Sequence, residues 1–276
     1  MDHAVAFEKD SFGKRLKSML KVDFRRMMKS RLFYILIASA LVIPILITVM
    51  MTMMDGSVSV NPQTGAETVM EGPENTWQSI GAFPEDTAEG GEAAAMGGMD
   101  VMGMCNINMM FMLAAVFICL FISDDFRSGY AKNLFTVRAK KGEYVISKTL
   151  AGFTCGAFML LAYFIGAILG GAISGLSFDL GTLHAGNLVM CILAKIFLMF
   201  VFIPIFVLVS VAAKQKTWLA LCGSLGAGML LFMMVGMITP LNSTIINVGL
   251  CLAGGAMFSF GLGAISKIIL KKSSLV

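Results

Sequence analysis

Sulfur-bearing side chains crowd one stretch of the chain closely enough to bind a soft metal ion. Thioether and thiol groups suit Cu(I), so such a cluster suggests a copper site. The chain nevertheless has 24 methionines, spread through all of its apolar segments, and neither of its 2 histidines accompanies this group. Flexible apolar lining is therefore the favoured interpretation, and a copper-related role is the alternative. The candidate metal ligands are Met96, Met99, Met102, Met104 and Cys105.

A single lysine, Lys195, interrupts an otherwise uncharged run of residues, 186–213. Near mid-membrane a lysine costs about 2.5–3.5 kcal/mol on insertion scales, and less near an interface. Its long stem could carry the ammonium group outward to the interface, which is called snorkelling. Alternatively, it could face a water-filled cavity on a transport path, with Asp179 as its candidate partner. Both interpretations stay open, and Lys195 is a candidate cargo-path residue.

A segment that mixes aromatic residues with charges of both signs is the best candidate for binding a partner protein. Phe126, Tyr130 and Leu134 recur at every fourth position, which predicts one apolar stripe on a short helix. An aromatic anchor surrounded by charges is typical of a compact protein interface. The alternative is a solvated loop without a partner. The candidate interface consists of Asp125, Phe126, Arg127, Gly129, Tyr130, Lys132, Asn133, Leu134 and Arg138, and Lys140 and Lys141 extend its basic rim.

Long uncharged runs dominate the rest of the chain, whose residues are 57% hydrophobic. These runs exceed the roughly 20 residues that a helix needs to cross about 30 Å of hydrocarbon. The last run is too long for one helix, and Pro240 and its neighbours are predicted to break it. We therefore predict an all-α integral membrane protein. Its single transmembrane domain, residues 32–266, would hold six helices at about 32–54, 101–123, 149–171, 188–211, 218–238 and 245–266.

The distribution of basic residues orients these predicted helices. Lys and Arg prefer the cytoplasmic side of a membrane. The acidic loop 55–100 contains none of the 21 Lys and Arg residues, and Lys195 alone lies inside a span. We therefore predict a cell-membrane protein with both termini in the cytoplasm, and the basic charge indicates topology rather than nucleic-acid binding. All other basic residues lie in the N-terminal segment 1–31, the loop 124–148, the short loop that holds Lys214 and Lys216, and the tail 267–276.

The segment before the first span predicts a basic amphipathic helix. Apolar residues such as Phe12, Leu16 and Met19 recur at spacings of three and four, and basic residues occupy the remaining positions. Such a helix should lie along the inner leaflet, with its cations near anionic lipid headgroups. It would serve as a general surface anchor or as an elbow helix, meaning one that braces the first span against the bundle.

Small residues inside the spans predict close helix contacts. Gly152 and Gly156, like Gly166 and Gly170, are separated by four positions, a spacing that lets neighbouring helices approach closely. The same pattern recurs in the last span at Gly255, Ser259 and Gly263. These residues would pack helices within one chain or along a seam between two chains.

No motif for binding ATP is present. The sequence contains neither G-x-x-x-x-G-K-[ST] nor G-x-G-x-x-G. We therefore expect that the chain is not an enzyme and binds no cofactor. A non-transporting membrane protein, such as an assembly factor or an intramembrane enzyme, is the competing class. An enzyme would need paired polar groups within the spans, where Lys195 is the only ionisable side chain besides cysteines and tyrosines.

The chain resembles the permease subunits of type-2 ATP-binding-cassette (ABC) transporters. In that family an acidic and aromatic stretch after the second helix forms a coupling helix, which docks into a separate ATPase subunit. The resemblance implies two ATPase subunits that bind ATP and Mg, and a second permease subunit, identical or related. It also implies ATP-driven export of a hydrophobic or amphipathic compound, such as an antimicrobial peptide, a drug or a lipid. The matching residues here are Asp125, Phe126, Arg127, Gly129, Lys132 and Asn133.

Overall fold

Helices account for nearly all of the regular structure. The computed structural model describes residues 12–60, 67–69, 72–81, 106–137 and 140–272. Within this part of the chain the only strands form one short antiparallel pair, in which Ser59 lies opposite Thr68. The elements are α1 Phe12–Lys29, α2 Arg31–Met53, β1 Val58–Val60, β2 Glu67–Val69, a 3-10 turn at Thr76–Ser79, α3 Met109–Arg127, α4 Tyr130–Val137, α5 Lys141–Ser174, α6 Ala185–Ala213, α7 Thr217–Ile238 and α8 Ile245–Lys272.

Five of the described helices, α2, α3, α5, α6 and α8, are long and apolar enough to cross a membrane. The predicted break in the last apolar run is confirmed, because α7 ends at Ile238 and α8 begins at Ile245. Proline cannot continue a helix, and Pro240 lies in this gap. Helix α7, the predicted fifth span, has a shorter apolar portion, Thr217–Phe232, so five of the six predicted spans are shown by the described residues.

Helix α5 lies at the centre of the bundle and packs against α1, α2, α3, α6 and α8. Its glycines permit the closest of these contacts. A Cβ atom on Gly166 would lie 2.2 Å from the carbonyl oxygen of Leu41, and one on Gly152 would lie 2.2 Å from Cδ1 of Ile118. The prediction that small residues allow close helix approach is therefore confirmed at these positions.

Helix α8 packs along α6 and leaves its other side uncovered. A Cβ atom on Gly255 would lie 2.5 Å from Cβ of Phe200, and Ser259 donates a hydrogen bond to the Phe200 carbonyl at 3.1 Å. Large apolar side chains on α8, including Met257 and Phe260, are exposed. Lipid or a second membrane helix is the environment that such a face requires.

The loops collect at two opposite ends of the bundle. At one end, Trp77 donates from Nε1 to the Phe178 carbonyl at 3.1 Å, and Ile107 donates to the Ser79 carbonyl at 2.9 Å. These bonds join the segment 72–81 to the α5–α6 loop and to the start of α3. The other end contains α1, α4, the start of α5 and the end of α8.

Candidate functional site

The segment predicted to dock a partner consists of two helices rather than one. Helix α3 ends at Arg127, and Gly129 adopts a φ of +72° before α4 begins at Tyr130. Glycine adopts this left-handed conformation without steric penalty, and it commonly ends a helix. The predicted single stripe of Phe126, Tyr130 and Leu134 is therefore wrong, because the four-residue spacing runs across the break between α3 and α4.

The first residues of the segment face the interior of the protein. Phe126 is buried and contacts the ring of Tyr144 edge-on, with 6.4 Å between ring centroids. Asp125 is fully buried at the end of α3. Neither side chain lies on an outer surface of the chain, so the prediction that Phe126 is an exposed anchor is corrected.

The remaining residues of the segment form the outer surface of this end of the bundle. Arg127, Lys132 and Asn133 are exposed, whereas Tyr130 and Leu134 are half-buried. The predicted residue Arg138 lies outside the described part of the chain. So do the candidate metal ligands Met96, Met99, Met102, Met104 and Cys105.

Directly behind α4 lies a cluster of charges, three of them fully buried, that the sequence analysis did not predict. Lys148 of α5 contacts Asp23 of α1 at 2.8 Å and Asp125 of α3 at 2.7 Å, and all three side chains are 0% exposed. One ammonium group therefore bridges carboxylates from two other helices. We call Asp23, Arg26, Asp125, Tyr144 and Lys148 the buried charge cluster.

Further contacts balance the charge of the two carboxylates and give their oxygen atoms hydrogen-bond partners. Arg26 pairs with Asp125 at 2.6 Å, and the Tyr144 hydroxyl donates to the same carboxylate at 3.0 Å. Ser147 donates its hydroxyl to Asp23. Two cations thus face two carboxylates, and each carboxylate oxygen has a partner. Buried charges need this arrangement, because an unpaired one carries a large desolvation penalty.

Two aromatic contacts connect α4 to this cluster. The guanidinium carbon of Arg26 lies 4.2 Å from the centroid of the Tyr130 ring, which places a cation on an aromatic face. Phe135 contacts the Tyr144 ring edge-on at 5.3 Å. A displacement of α4 would therefore act on residues that hold α1, α3 and α5 together.

The pKa directions at the surface of the cluster agree with these contacts. Burial opposes the charged form of Arg26, but the charge and hydrogen bond of Asp125 outweigh it, and the pKa of Arg26 is raised. Burial also raises the pKa of the Tyr130 phenol, and the charge of Asp23 adds to that effect while Arg26 opposes it. Arg26 consequently stays protonated and Tyr130 stays neutral at physiological pH.

One sequence signal does mark the cluster. Asp23 is the single acidic residue of α1, and it lies four positions from the buried Met19 and Met27, on the packed face of the helix. A carboxylate on a buried helix face requires a cationic partner. The partner is Lys148, 125 residues away. Only the tertiary fold could identify it.

Lys195, the other candidate residue, is held inside the opposite end of the bundle. Its side chain is buried, and Nζ donates to Oδ1 of Asn108 and to Oγ1 of Thr239, each at 2.9 Å. The snorkelling interpretation is therefore wrong, and these two neutral acceptors replace the predicted partner Asp179. The lysine links the start of α3 and the end of α7 to α6. Its role as a cargo-path residue stays a prediction.

Comparison with known proteins identifies the class of this molecule. The sequence model of the family described as "ABC-2 family transporter protein" matches residues 19–225, which extend from α1 into α7. No curated protein and no solved structure matches the chain. The matched region contains the buried charge cluster, α4 and four of the five long apolar helices. The chain therefore belongs to the ABC-2 transporter family, and it is a multi-pass membrane permease of an ABC transporter, a class that works with an ABC ATPase partner.

Proposed function

We propose that this permease is one half of an ATP-driven exporter and that α4 is its coupling helix. The observation that carries the proposal is the position of α4 between an exposed surface and the buried charge cluster. Lys132 and Asn133 of α4 face outward together with Arg127 at the end of α3, where an ATPase can dock. Tyr130 and Phe135 of α4 contact the cluster. ATP and Mg²⁺ would bind the ATPase, because this chain has no phosphate-binding loop.

The cluster supports a rigid-body mechanism. Closing of the ATPase on ATP would displace α4, and the ion pairs would pass the displacement to α1, α3 and α5 as one unit. Packed helices shift between discrete arrangements rather than deforming continuously. In this scheme α1 acts as the elbow helix, because Asp23 and Arg26 fix it to the bundle.

Contacts between the chain ends support six spans and cytoplasmic termini. Arg15 of α1 pairs with Glu143 at 2.9 Å, and Lys141 donates to the carbonyl of Leu270 in α8. Both terminal helices thus meet the first turn of α5, which supports an even number of crossings. In this proposal α7 is the sixth span. This end also carries the basic loops, which favours its placement in the cytoplasm.

A second permease subunit, identical or related, would complete the transport path. The exposed apolar side chains of α7 and α8, such as Leu230 and Phe260, support contacts with another membrane helix or lipid. Two ATPase subunits would then serve the pair. The proposed cargo, which follows from the resemblance to the family, is a hydrophobic or amphipathic compound, for example an antimicrobial peptide, a drug or a lipid.

Charge reversal at the exposed end of α3 and on the exposed side of α4 tests the docking proposal. In the double variant Arg127→Glu/Lys132→Glu, the ATP hydrolysis activity that co-purifies with the tagged permease should fall, because like charges would oppose docking. Membrane insertion and thermal stability should not change, since both side chains are exposed. Raising the salt concentration should reduce the difference from wild type.

The matched control is Lys216→Glu/Lys272→Glu, which reverses two exposed lysines away from α4. It should retain the co-purifying ATPase. Normal co-purifying ATPase activity with Arg127→Glu/Lys132→Glu would refute the assignment of α4 as the docking helix. An equal loss of that activity in the control variant would refute it as well.

A further inference from the structure

We infer that a cleft between α1, α5 and α8 binds an anionic phospholipid of the cytoplasmic leaflet. The cleft has a volume of about 940 Å³ and is lined by residues of all three helices and by Phe200 of α6. Its size lies within the range of about 300–1,000 Å³ that is typical of ligand sites. None of the five residues of the buried charge cluster lines it. The choice of leaflet rests on the proposed orientation, whereas the choice of ligand does not.

The rim of the cleft is strongly cationic. Its single acidic residue, Glu143, is paired with Arg15 at 2.9 Å. Among the described residues, Lys140, Lys267 and Lys271 form no ion pair with a carboxylate, and all three are exposed. A phosphate group would supply the missing counter-charge, and basic pockets between membrane helices are suited to anionic headgroups. The basic residues that line the cleft are Arg15, Lys140, Lys141, Lys267 and Lys271.

The lining of the cleft changes from basic to apolar along the helix axes. On α8 the lining residues proceed from Phe260 and Ala264 to Lys267 and Lys271 as the helix approaches its end. Helix α5 begins at the same end of the bundle, so along its sequence the basic lining residues come before the apolar ones. Its lining residues start with Lys140 and Lys141 and continue with Val145, Ile146 and Leu150.

The basic parts of the two helices lie together because the start of α5 meets the end of α8. The hydrogen bond from Lys141 to the Leu270 carbonyl shows this contact. Cations therefore lie where the ends of α5 and α8 meet, and apolar side chains line the part of the cleft nearer the middle of these helices. Inorganic phosphate would make no use of the apolar wall, and a zwitterionic lipid would not balance the rim. An anionic headgroup with an acyl chain matches both parts.

The position of α1 gives such a lipid a structural role. Phe12 and Arg15 line the cleft on one side, and Ser259, Phe260 and Lys267 line it on the other. A lipid seated there would contact α1 and α8 together, although these helices belong to opposite ends of the sequence. It should therefore raise the thermal stability of the permease, as any ligand of the folded state does.

Native mass spectrometry of the detergent-purified, delipidated full chain can test this inference. The protein would be titrated with phosphatidylglycerol, phosphatidylcholine and inorganic phosphate. Wild type should retain phosphatidylglycerol preferentially. The variant Lys267→Gln/Lys271→Gln should bind it about 30-fold more weakly, given the contribution expected from two cations near a lipid headgroup. The control Lys216→Gln/Lys272→Gln removes the same charge outside the cleft and should bind as wild type does.

A second variant tests the apolar wall without changing the charge. A Cβ atom on Gly263 would lie 3.9 Å from the nearest atom, Cγ1 of Val145, so Gly263→Leu can fold while filling the cleft. It should reduce phosphatidylglycerol binding and leave phosphate binding unchanged. Equal affinity for phosphatidylcholine, phosphate binding as tight as lipid binding, or equal loss in the control variant would overturn the inference. Displacement of the lipid by the purified ATPase would instead assign the cleft to ATPase docking.

Discussion

Lys148 is the residue on which the buried charge cluster depends. Its ammonium group contacts both Asp23 and Asp125, and all three are shielded from water. The variant Lys148→Met would leave two carboxylates buried with only Arg26 to balance them. Removing one partner of a buried ion pair typically destabilises a protein by about 3–5 kcal/mol. We therefore expect a large fall in the midpoint of thermal unfolding in detergent.

A charge-balanced double variant separates electrostatics from packing. In Asp23→Asn/Lys148→Met the remaining pair, Arg26 with Asp125, is neutral, so this protein should be more stable than Lys148→Met alone. The exposed Lys132→Met serves as the control, and its midpoint of thermal unfolding in detergent should equal that of wild type. If Lys148→Met were as stable as Lys132→Met, the cluster would contribute nothing to the stability of the fold.

The hydrogen bonds of Lys195 lead to a second prediction at this scale. Thr239→Val removes one of the two acceptors of a buried cation, which should cost about 1–3 kcal/mol of stability. The control is Thr154→Val. Thr154 donates to the carbonyl of Leu150, four residues earlier, at 3.0 Å, as Thr239 donates to that of Val235 at 2.7 Å. It has no lysine partner among its described contacts, so its unfolding temperature should change little. Equal shifts in the two variants would contradict a structural role for the Lys195 bond.

The sequence could reveal that single residues were unusual but could not identify their partners. Lys195 stands out because a charge inside an apolar run needs an explanation. Its acceptors, Asn108 and Thr239, are 87 and 44 residues away. Asp23 and Lys148 are likewise separated by 125 residues. Such pairings follow from how the helices pack, which neither periodicity nor charge pattern reports.

At the scale of elements, apolar runs in the sequence located the helices. The positions of charged residues, however, gave wrong predictions for where some of these helices begin. Helix α5 begins at Lys141, ahead of the predicted start at residue 149. The charged residues before position 149 predicted a loop there. Glu143 and Lys148 are instead buried within α5, where each forms an ion pair. Helix α3 begins at Met109 rather than at residue 101. The turn at 106–108 precedes it, and its backbone bond to Ser79 depends on a distant segment.

The contact between α2 and α5 gives a prediction for an element. In Gly166→Ala the new Cβ would lie 2.2 Å from the carbonyl oxygen of Leu41 and 2.6 Å from Cγ of Pro44. The two helices must separate to accommodate it, and overpacking of this kind typically costs about 1–3 kcal/mol or more. We expect a lower unfolding temperature and a reduced yield of folded protein.

Gly254→Ala in α8 is the matched control, because nothing lies within 4 Å of its new Cβ. Alanine has the higher helix propensity, so this variant should be neutral or more stable, by at most about 1 kcal/mol. If Gly166→Ala were as stable as Gly254→Ala, close approach of α2 and α5 would not be a requirement of the fold.

At the scale of the whole molecule, the loops at the two ends differ in charge and in how they are joined. The end that contains α1, α4 and the end of α8 is basic and is held by the buried charge cluster and the Arg15–Glu143 pair. The opposite end is joined by bonds from Asn75 and Trp77 to the loop after α5. The membrane potential and the anionic inner leaflet favour the basic end in the cytoplasm.

That orientation can be measured by labelling single cysteines in a background that lacks all 6 natural ones. Ser57 and Thr182 lie exposed at the proposed outer end, and Thr136 and Gln215 lie exposed at the proposed cytoplasmic end. A membrane-impermeant maleimide should label Ser57→Cys and Thr182→Cys in intact cells. It should reach Thr136→Cys and Gln215→Cys only after the membrane is opened, because the basic loops that hold these positions stay inside. Labelling of Gln215→Cys but not Thr136→Cys in intact cells would show an odd number of crossings between them and refute the six-span arrangement. Reversal of all four results would keep the six spans and invert the protein.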